Sequence, residues 1–563
     1  MTDQHSTLPG QNRIRLLGIV FTLFFASIAF ELGILTLKHK TNATNLEAAA
    51  HQSTIPRPDI VDRNGVVMAT DIAVASLYSD PRKIIDIDEA VELITATLPD
   101  LESKSLREKL TQPGRAFVWL KRQASPEERD AVYNLGIPGV GYVNERKRVY
   151  PLGRLAAHAI GYVDVDTHGI AGIEKFLDDQ GALFTASLTE PETATSAPAQ
   201  LAMDTRIQQA VTDEVAKAVL KYKAKSGGGI IMNTETGEVL ALASLPDFNP
   251  NSNDKRLTSD QQNKMTSGVY ELGSVIKAVT FAMALDAGTA TMTSQYDARY
   301  PLVIGNARIS DFHAQRKILS LPEVFTYSSN IGTAKMALQV GVPGHVEFLK
   351  RVGLLDRLIT ELPESAKPLL PRQWSKLASA TASFGQGFAV QPLQGLSVVA
   401  NLLNGGMFVP ATFMKRTKDE AAALGHRVVK AETSLNMQKL FRLNVIEGTA
   451  SQADVLGYRV GGKTGTAEKV IGGRYSKDKN LTTFIGAFPM DAPKYAILVM
   501  LDEPQASPET FGFATAGWNA VPTAAKIIER IAPLLDVAPQ FTADDLIKLE
   551  KQAKKSTAEK KKG

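Results

Sequence analysis

Apolar residues are spread unevenly along this chain, and the first concentration of them is the longest. From Leu16 to Leu37 they run almost without a break, with Glu31 the only charge, and about 20 such residues cross a bilayer as a helix. A cleaved leader needs an apolar stretch of only about 7 to 15 residues ending near a small-residue site, whereas Ala48, Ala49 and Ala50 lie well past the end of this one. The pattern therefore predicts a retained transmembrane helix over 16–37. Arg13 and Arg15 precede it in a short tail, 1–15, which basic flanking charge keeps on the cytoplasmic side, although Lys38 and Lys40 pull the other way. Everything after the span is then expected outside the cytoplasm. Glu31 lies about 9 Å before the end of the span at the helical rise. It reads as a protonated or snorkelling carboxylate near the outer interface, with a polar contact to a partner helix as the other reading.

Beyond a polar stalk at 41–54, the segment "IPRPDIVDRNGVVMATDIAVASLYSDP" alternates as short strands around an Asn64-Gly65 turn. A mixed region continues to about Asp178, and "SLTEPETATSAPAQ" has the composition of a linker. This gives one mixed domain over 41–200 and a second over 201–540. In the second, "SGGGIIMNTETGEVLALAS" predicts two strands joined at Thr234 to Gly237, and Leu321 to Leu403 is mostly helical in pattern. Three more strands are predicted in "YRVGGKTGTAEKV", "LTTFIGAFP" and "KYAILVMLDEP". Strands at both ends with helices between them imply an α+β fold whose sheet is closed by its terminal segments. The Lys-rich tail over 541–563 is expected to be disordered and solvated.

Composition narrows the chemistry. With 563 residues the chain has room for two or three domains, and a net charge of +4 at this length does not call for a nucleic-acid partner. There are no cysteines, which excludes disulfides, thiolate catalysis and cysteine-ligated metal centres. No GxSxG nucleophile elbow and no HExxH zinc signature is present. Neither a cofactor nor a metal is called for.

One charge is out of place. In "GVYELGSVIKAVTFAMALDAG", Lys277 sits among Val275, Ile276, Ala278, Val279, Phe281, Ala282, Met283 and Leu285, a helix with no polar face. Taking Gly273 as the turn before the helix puts Ser274 in its first turn and Lys277 three residues on, on the same face. A lysine stripped of water loses basicity and can take the proton of a serine hydroxyl. The spacing alone is weak, since Ser252 with Lys255 and Ser476 with Lys479 repeat it in polar segments. Two further elements strengthen it: Ser328, Ser329 and Asn330 form an SxN group, and Lys463, Thr464 and Gly465 form a KTG group on a predicted strand. Ser434 to Asn436 is a decoy of the second.

The order SxxK, SxN, KTG is that of penicillin-binding proteins and class A β-lactamases. The sequence resembles the class B penicillin-binding proteins, and within them the division-specific peptidoglycan D,D-transpeptidases. The resemblance rests also on "RPDIVDRNG" (Arg57, Asp59, Asp62, Arg63, Gly65), "RVYPLGRLAAHAIGYV" (Arg148, Tyr150, Pro151, Gly153, His158, Gly161), "GIAGIEKFLD" (Gly169, Gly172, Glu174), "TGEVLALASLPDFNPN" and "SFGQGFAVQPLQ". It implies a transpeptidase domain, an antiparallel sheet with a helical subdomain, on a non-catalytic pedestal domain of the dimerisation type, held at the cell inner membrane by one span with the bulk of the chain periplasmic. It implies Ser274 as nucleophile, Lys277 as its proton acceptor, Ser328 as proton relay, Asn330 and Lys463 as further catalytic groups, and Thr464, Gly465 and Thr466 as the substrate-binding strand. Backbone N–H groups of Ser274 and Thr466 would form the oxyanion hole. Peptidoglycan stem peptides, β-lactams, a polytopic septal glycan polymerase and other division proteins are the implied partners. Where the family usually has proline before Gly-Ser, this chain has Leu272. An elongation enzyme, a β-lactamase, a carboxypeptidase, a β-lactam sensor and a division scaffold with secondary catalysis are the competing readings. The Asn330 form of the second motif favours the septal branch, because elongation enzymes usually carry Asp there. His158 is expected to pack or hydrogen-bond rather than ligate.

Overall fold

The two groups of strands expected at opposite ends of the second domain meet in one sheet. The computed structural model describes residues 19–31, 57–180, 197–252, 258–543 and 545–546. The tail 1–15, the stalk, the Ala48–Ala50 stretch, most of the linker, Lys255 and nearly all of the Lys-rich tail lie outside these residues. A helix covers 19–31 with its apolar side chains exposed. Among the described residues no helix is long and apolar enough to cross a membrane, and the rest of the expected span falls outside them.

The first domain is built on β1 (Ile60–Val61), β2 (Val67–Ser79), β3 (Val118–Ala124) and β4 (Val140–Val149), with β2 paired to the other three. Its outer part has its own core, in which Leu77, Val91, Ile94, Leu106, Val118 and Val132 are buried together. Its inner part is organised by charge. Glu174, on α1 (Gly172–Asp179), is fully buried. It accepts hydrogen bonds from Arg57 Nε at 3.1 Å and Arg148 Nε at 2.7 Å. Arg57 continues to the Thr167 and Glu174 carbonyls and Arg148 to Asp71 and the Pro58 carbonyl. Three family-like segments far apart in sequence thus share one buried network, in which each charge is paired.

The expected linker ends in structure rather than in slack. Ala199–Gln200 forms β5, pairing parallel with β1, so the chain returns to its starting strand before entering α2 (Thr205–Lys221). The Asp62 carboxylate binds the Asn64 and Val66 N–H groups of the Asn64-Gly65 turn with one oxygen. With the other it binds Thr205, at the start of α2. Asn251 exchanges two hydrogen bonds with the Tyr150 backbone, and the Phe248 ring lies edge-on to His158 and Tyr162. His158 is a packing residue that also bonds the Gln261 carbonyl oxygen at 2.7 Å.

The second domain carries β6 (Ser226–Asn233), β7 (Val239–Leu245), then α3 (Lys277–Asp286), α4 (Asn330–Val340), α5 (Pro392–Leu403) and α6 (Ala431–Glu447). These are followed by β8 (Gly461–Ile471), β9 (Arg474–Phe488), β10 (Tyr495–Asp502) and α7 (Ala520–Ile531). The sheet order is β8-β9-β10-β6-β7, antiparallel throughout. Successive residues serve opposite faces, as a strand requires. Ile231, Phe484 and Val499 pack under α2 and α7, while Ile230, Ile485 and Leu498 join the core shared with α3, α5 and α6. Within the stretch expected to be mostly helical, 353–375 is irregular and reaches back to the first domain, where the Glu364 carboxylate accepts the Gly172 N–H at 3.0 Å. The result is a mixed α+β molecule with the edge strand β8 facing the helical side.

Candidate active site

Ser274 does not begin the α-helix as its spacing suggested. Gly273 to Ile276 forms a tighter 3₁₀ turn and α3 starts at Lys277. The cause is close packing against β8. Gly273 has φ +58 and sits against the Thr466 carbonyl, and a Cβ on Gly465 would lie 2.3 Å from the Leu272 carbonyl oxygen. On the other side a Cβ on Gly385 would lie 2.2 Å from the Gly273 carbonyl oxygen. The serine-bearing turn is thus gripped between β8 and the 383–387 turn, with glycine at both contacts because no side chain fits. Leu272 takes φ −75, within proline's range. Its buried side chain sits over Gly395 of α5. Packing supplies the rigidity that a ring would have supplied.

Lys277 is fully buried, as is Lys463 from β8. Both amines donate to one hydroxyl, Ser328 Oγ, each at 3.0 Å. Lys277 also donates to the Ser328 carbonyl, and Lys463 to the Thr464 carbonyl at 3.2 Å. Burial, then the neighbouring Lys463 charge, hold the Lys277 amine well below the ordinary lysine range, against a smaller opposing pull from Asp311. Burial pushes Lys463 down to about 7. Its amine also lies 5.8 Å from the centre of the Phe325 ring, a face that attracts a cation. Ser274, three residues before Lys277, is half-buried, and among the described residues its hydroxyl has no hydrogen-bond partner.

Ser328 has the left-handed φ of +57, costly for a residue with a Cβ, and the adjacent residues hold it there. The Ser329 hydroxyl donates to Asp311 at 2.7 Å, the Ile331 N–H to the same carboxylate at 2.9 Å, and Asn330 Nδ2 to the Ser310 carbonyl at 3.0 Å. Ser329 also caps α4 by accepting the Gly332 N–H. On β8, Thr464 shares a 2.7 Å hydrogen bond with the Thr449 hydroxyl, and Thr466, which is exposed, accepts the Ala516 N–H at 3.2 Å. Asn444 on α6 fixes this wall by donating to the Gly462 carbonyl at 2.8 Å while accepting from Thr449.

The eight residues expected from the motifs therefore lie on the serine turn and the start of α3 (Ser274, Lys277), on the Ser328 turn and the start of α4 (Ser328, Asn330), and on the edge strand (Lys463, Thr464, Gly465, Thr466). The decoys do not join them: Ser434 is buried against Gly405, and Lys479 pairs with Glu503 on the β9 side of the hairpin. Asp311, Thr449, Asn444 and Glu271 were not anticipated. The last had a legible signal, an acid three positions before the serine in an apolar stretch. Among the described residues no His, Cys, Asp or Glu group is arranged to hold a metal ion. Two lowered amines around a hydroxyl can take a proton from a nearby serine and return it to a leaving group.

Comparison with known families agrees with the architecture. Residues 227–529 match the penicillin binding protein transpeptidase domain and residues 52–180 the penicillin-binding protein dimerisation domain. The chain is 40% identical over 490 residues to the Probable peptidoglycan D,D-transpeptidase FtsI of Caulobacter vibrioides, covering 85% of this chain and 82% of that one. It is 32% identical over 510 residues to the Probable peptidoglycan D,D-transpeptidase PenA of Neisseria meningitidis, covering 86% of each. With the peptidoglycan D,D-transpeptidase FtsI of Escherichia coli K12 it shares 30% over 479 residues, 81% of this chain and 80% of that one. With both domains matched in order, and the two amines of its motifs converging on one hydroxyl, the chain belongs to the class B penicillin-binding proteins.

Proposed function

We infer that this chain is a serine-type peptidoglycan D,D-transpeptidase of the division class, and that Ser274 is the residue it acylates. The observation that carries the site is the pair of buried amines, Lys277, three residues after Ser274, and Lys463, from β8, each 3.0 Å from the Ser328 hydroxyl. Lys277, its proton affinity lowered by burial and by the neighbouring Lys463 charge, takes the proton as Ser274 Oγ attacks the penultimate D-alanine carbonyl of a stem peptide. The developing oxyanion turns to the Ser274 and Thr466 N–H groups. The peptide C–N bond then breaks, and the departing D-alanine amine receives its proton through Ser328. An amine of a second stem attacks the ester, its proton returns to Ser274 by the same route, and the cross-link is formed. Thr464, Thr466 and Lys463 suit the terminal carboxylate, Gly465 gives β8 its close approach, and Asn330 serves the donor's amide. β-Lactams enter as mimics of the donor and stop at the ester.

The division role draws on the FtsI relatives and on Asn330 in the second motif, which an elongation enzyme would replace by Asp. The apolar run 16–37 supports anchorage by one span, with residues after about 40 on the periplasmic side of the inner membrane. The domain over 41–200 then works as a pedestal for a polytopic glycan polymerase and other division proteins. A mass-mapped β-lactam adduct tests the assignment. It is expected on Ser274 alone and lost in Ser274→Ala with the fold intact; an adduct on another serine overturns the site, and rapid turnover of the ester makes the protein a β-lactamase. Mature chain starting near Ala50 would refute the anchor.

A further inference from the structure

Glu271 takes no part in the chemistry just described, yet three walls of the site converge on its carboxylate. It stands on the serine turn, three residues before Ser274. One oxygen accepts the Gly387 N–H at 2.8 Å. That residue belongs to the 383–387 turn whose Gly385 presses on the Gly273 carbonyl. The Tyr475 hydroxyl reaches the same carboxylate at 3.2 and 3.3 Å. Tyr475 lies on β9 one pair from the Gly472-Gly473 bend.

The hairpin has reason to need such a tie. Its pairing with the sheet is interrupted between Glu468 and Lys469, where the register jumps from Glu468 opposite Asn480 to Lys469 opposite Ser476. An irregularity of this kind bends and twists the strand locally, so the aim of the distal part is set by more than the ladder. The root of that part is held by Lys469, which binds Asp502 at 2.8 Å and Glu503 at 2.6 Å. Its tip is apolar and exposed, with Val470, Ile471 and Tyr475 open to solvent. Among the described residues Glu271 is the side chain recorded as joining Tyr475 to the serine turn.

We propose that Glu271 is a positioning residue, fastening the tip of the β8–β9 hairpin and the 383–387 turn to the serine-bearing turn so that Ser274 is held against the edge strand during acylation. Burial raises the proton affinity of its carboxyl, and the Gly387 N–H and Tyr475 hydroxyl partly offset this. Burial, and then the same carboxylate, push Tyr475 up to about 12, with Glu468 adding to the effect. Tyr475 therefore remains a donor across the working range.

The inference rests on Ser274 being the acylated residue, so the experiment begins by mapping the penicillin adduct in the full-length wild type. Glu271→Ala, Glu271→Gln, Tyr475→Phe and the Glu271→Ala/Tyr475→Phe pair are then compared in stopped acylation series across penicillin concentration. Glu271→Ala is expected to lower the maximal acylation rate about tenfold with little change in half-saturation, since a small misplacement of a nucleophile is costly. Glu271→Gln, which keeps an acceptor for Gly387 and a partner for Tyr475, should recover most of it. Tyr475→Phe, at an exposed position that the fold does not need, should cost about threefold. The pair should be no slower than Glu271→Ala alone, because both changes cut one tie. An adduct elsewhere than Ser274 removes the site and this inference together. With the adduct on Ser274, wild-type rates in Tyr475→Phe, additive losses in the pair, or Glu271→Gln as slow as Glu271→Ala would each overturn the positioning role alone.

Discussion

A lysine without water is an expensive residue, and two of them within reach of one hydroxyl set the pH behaviour of this protein. In the unfolded chain Lys463 stays protonated up to its ordinary 10.5, but in the fold it releases its proton near 7. Between those values the unfolded state binds more protons, so stability rises with pH over that window, and below it the burial cost is carried in full. Denaturant titrations from pH 6 to 9.5 should show wild type gaining on Lys463→Met across the range. Acylation should lose its acid limb near neutrality as the coupled amines take up protons, the limb belonging to the pair rather than to either lysine. Gly465→Ala tests the fit of the serine turn. A methyl group 2.3 Å from the Leu272 carbonyl oxygen must push β8 and the turn apart, and penicillin labelling is expected to slow at least about tenfold. Labelling at the wild-type rate would show that the close approach is not needed.

At the level of elements, the Ser328 turn is held by groups outside itself. Asp311→Ala removes the acceptor of both Ser329 and the Ile331 N–H, leaving polar groups unpaired at a cost of about 1–3 kcal/mol. The left-handed Ser328 is then free to relax. Melting curves should record the first effect and slower acylation the second. The motif residues were legible because each belongs to a stretch with its own local signal: an apolar helix, a Ser-Ser-Asn run, a Gly-rich strand. Asp311 had none, since it sits in an irregular loop whose partner is reached only once α4 is packed. The 3₁₀ start of the serine helix was hidden for a related reason. Local propensity would continue α3 back to Ser274, and the backbone contacts of Gly385 and Gly465 override it. The register of β8 with β9 is set by side chains packing on both faces of the sheet, so the strands were readable but their bulge was not.

Across the whole molecule, polar contacts tie the two domains, Asp62 with Thr205, Asn251 with the Tyr150 backbone and Glu364 with the Gly172 N–H, while the first domain is held by its own buried charge network. Glu174→Ala would leave Arg57 and Arg148 buried beside a missing charge, which costs on the order of 3–5 kcal/mol. Unfolding curves should show that loss while the folded fraction still labels with penicillin, because none of the three touches the Ser328 group. The central sheet has a further consequence, one of time. Ser226 of β6 finds its partner in Asp502 of β10, 276 residues later. At about 5–20 residues per second of synthesis, roughly 15 to 55 seconds pass before β10 exists to cover it. Until then β6 and β7 form a hairpin with one bare hydrogen-bonding edge, an invitation to other strands. A nascent chain of this protein therefore carries a bare strand edge, open to holding factors, through about half of its synthesis, and a truncation ending before Tyr495 should accumulate as aggregate rather than as a smaller folded enzyme.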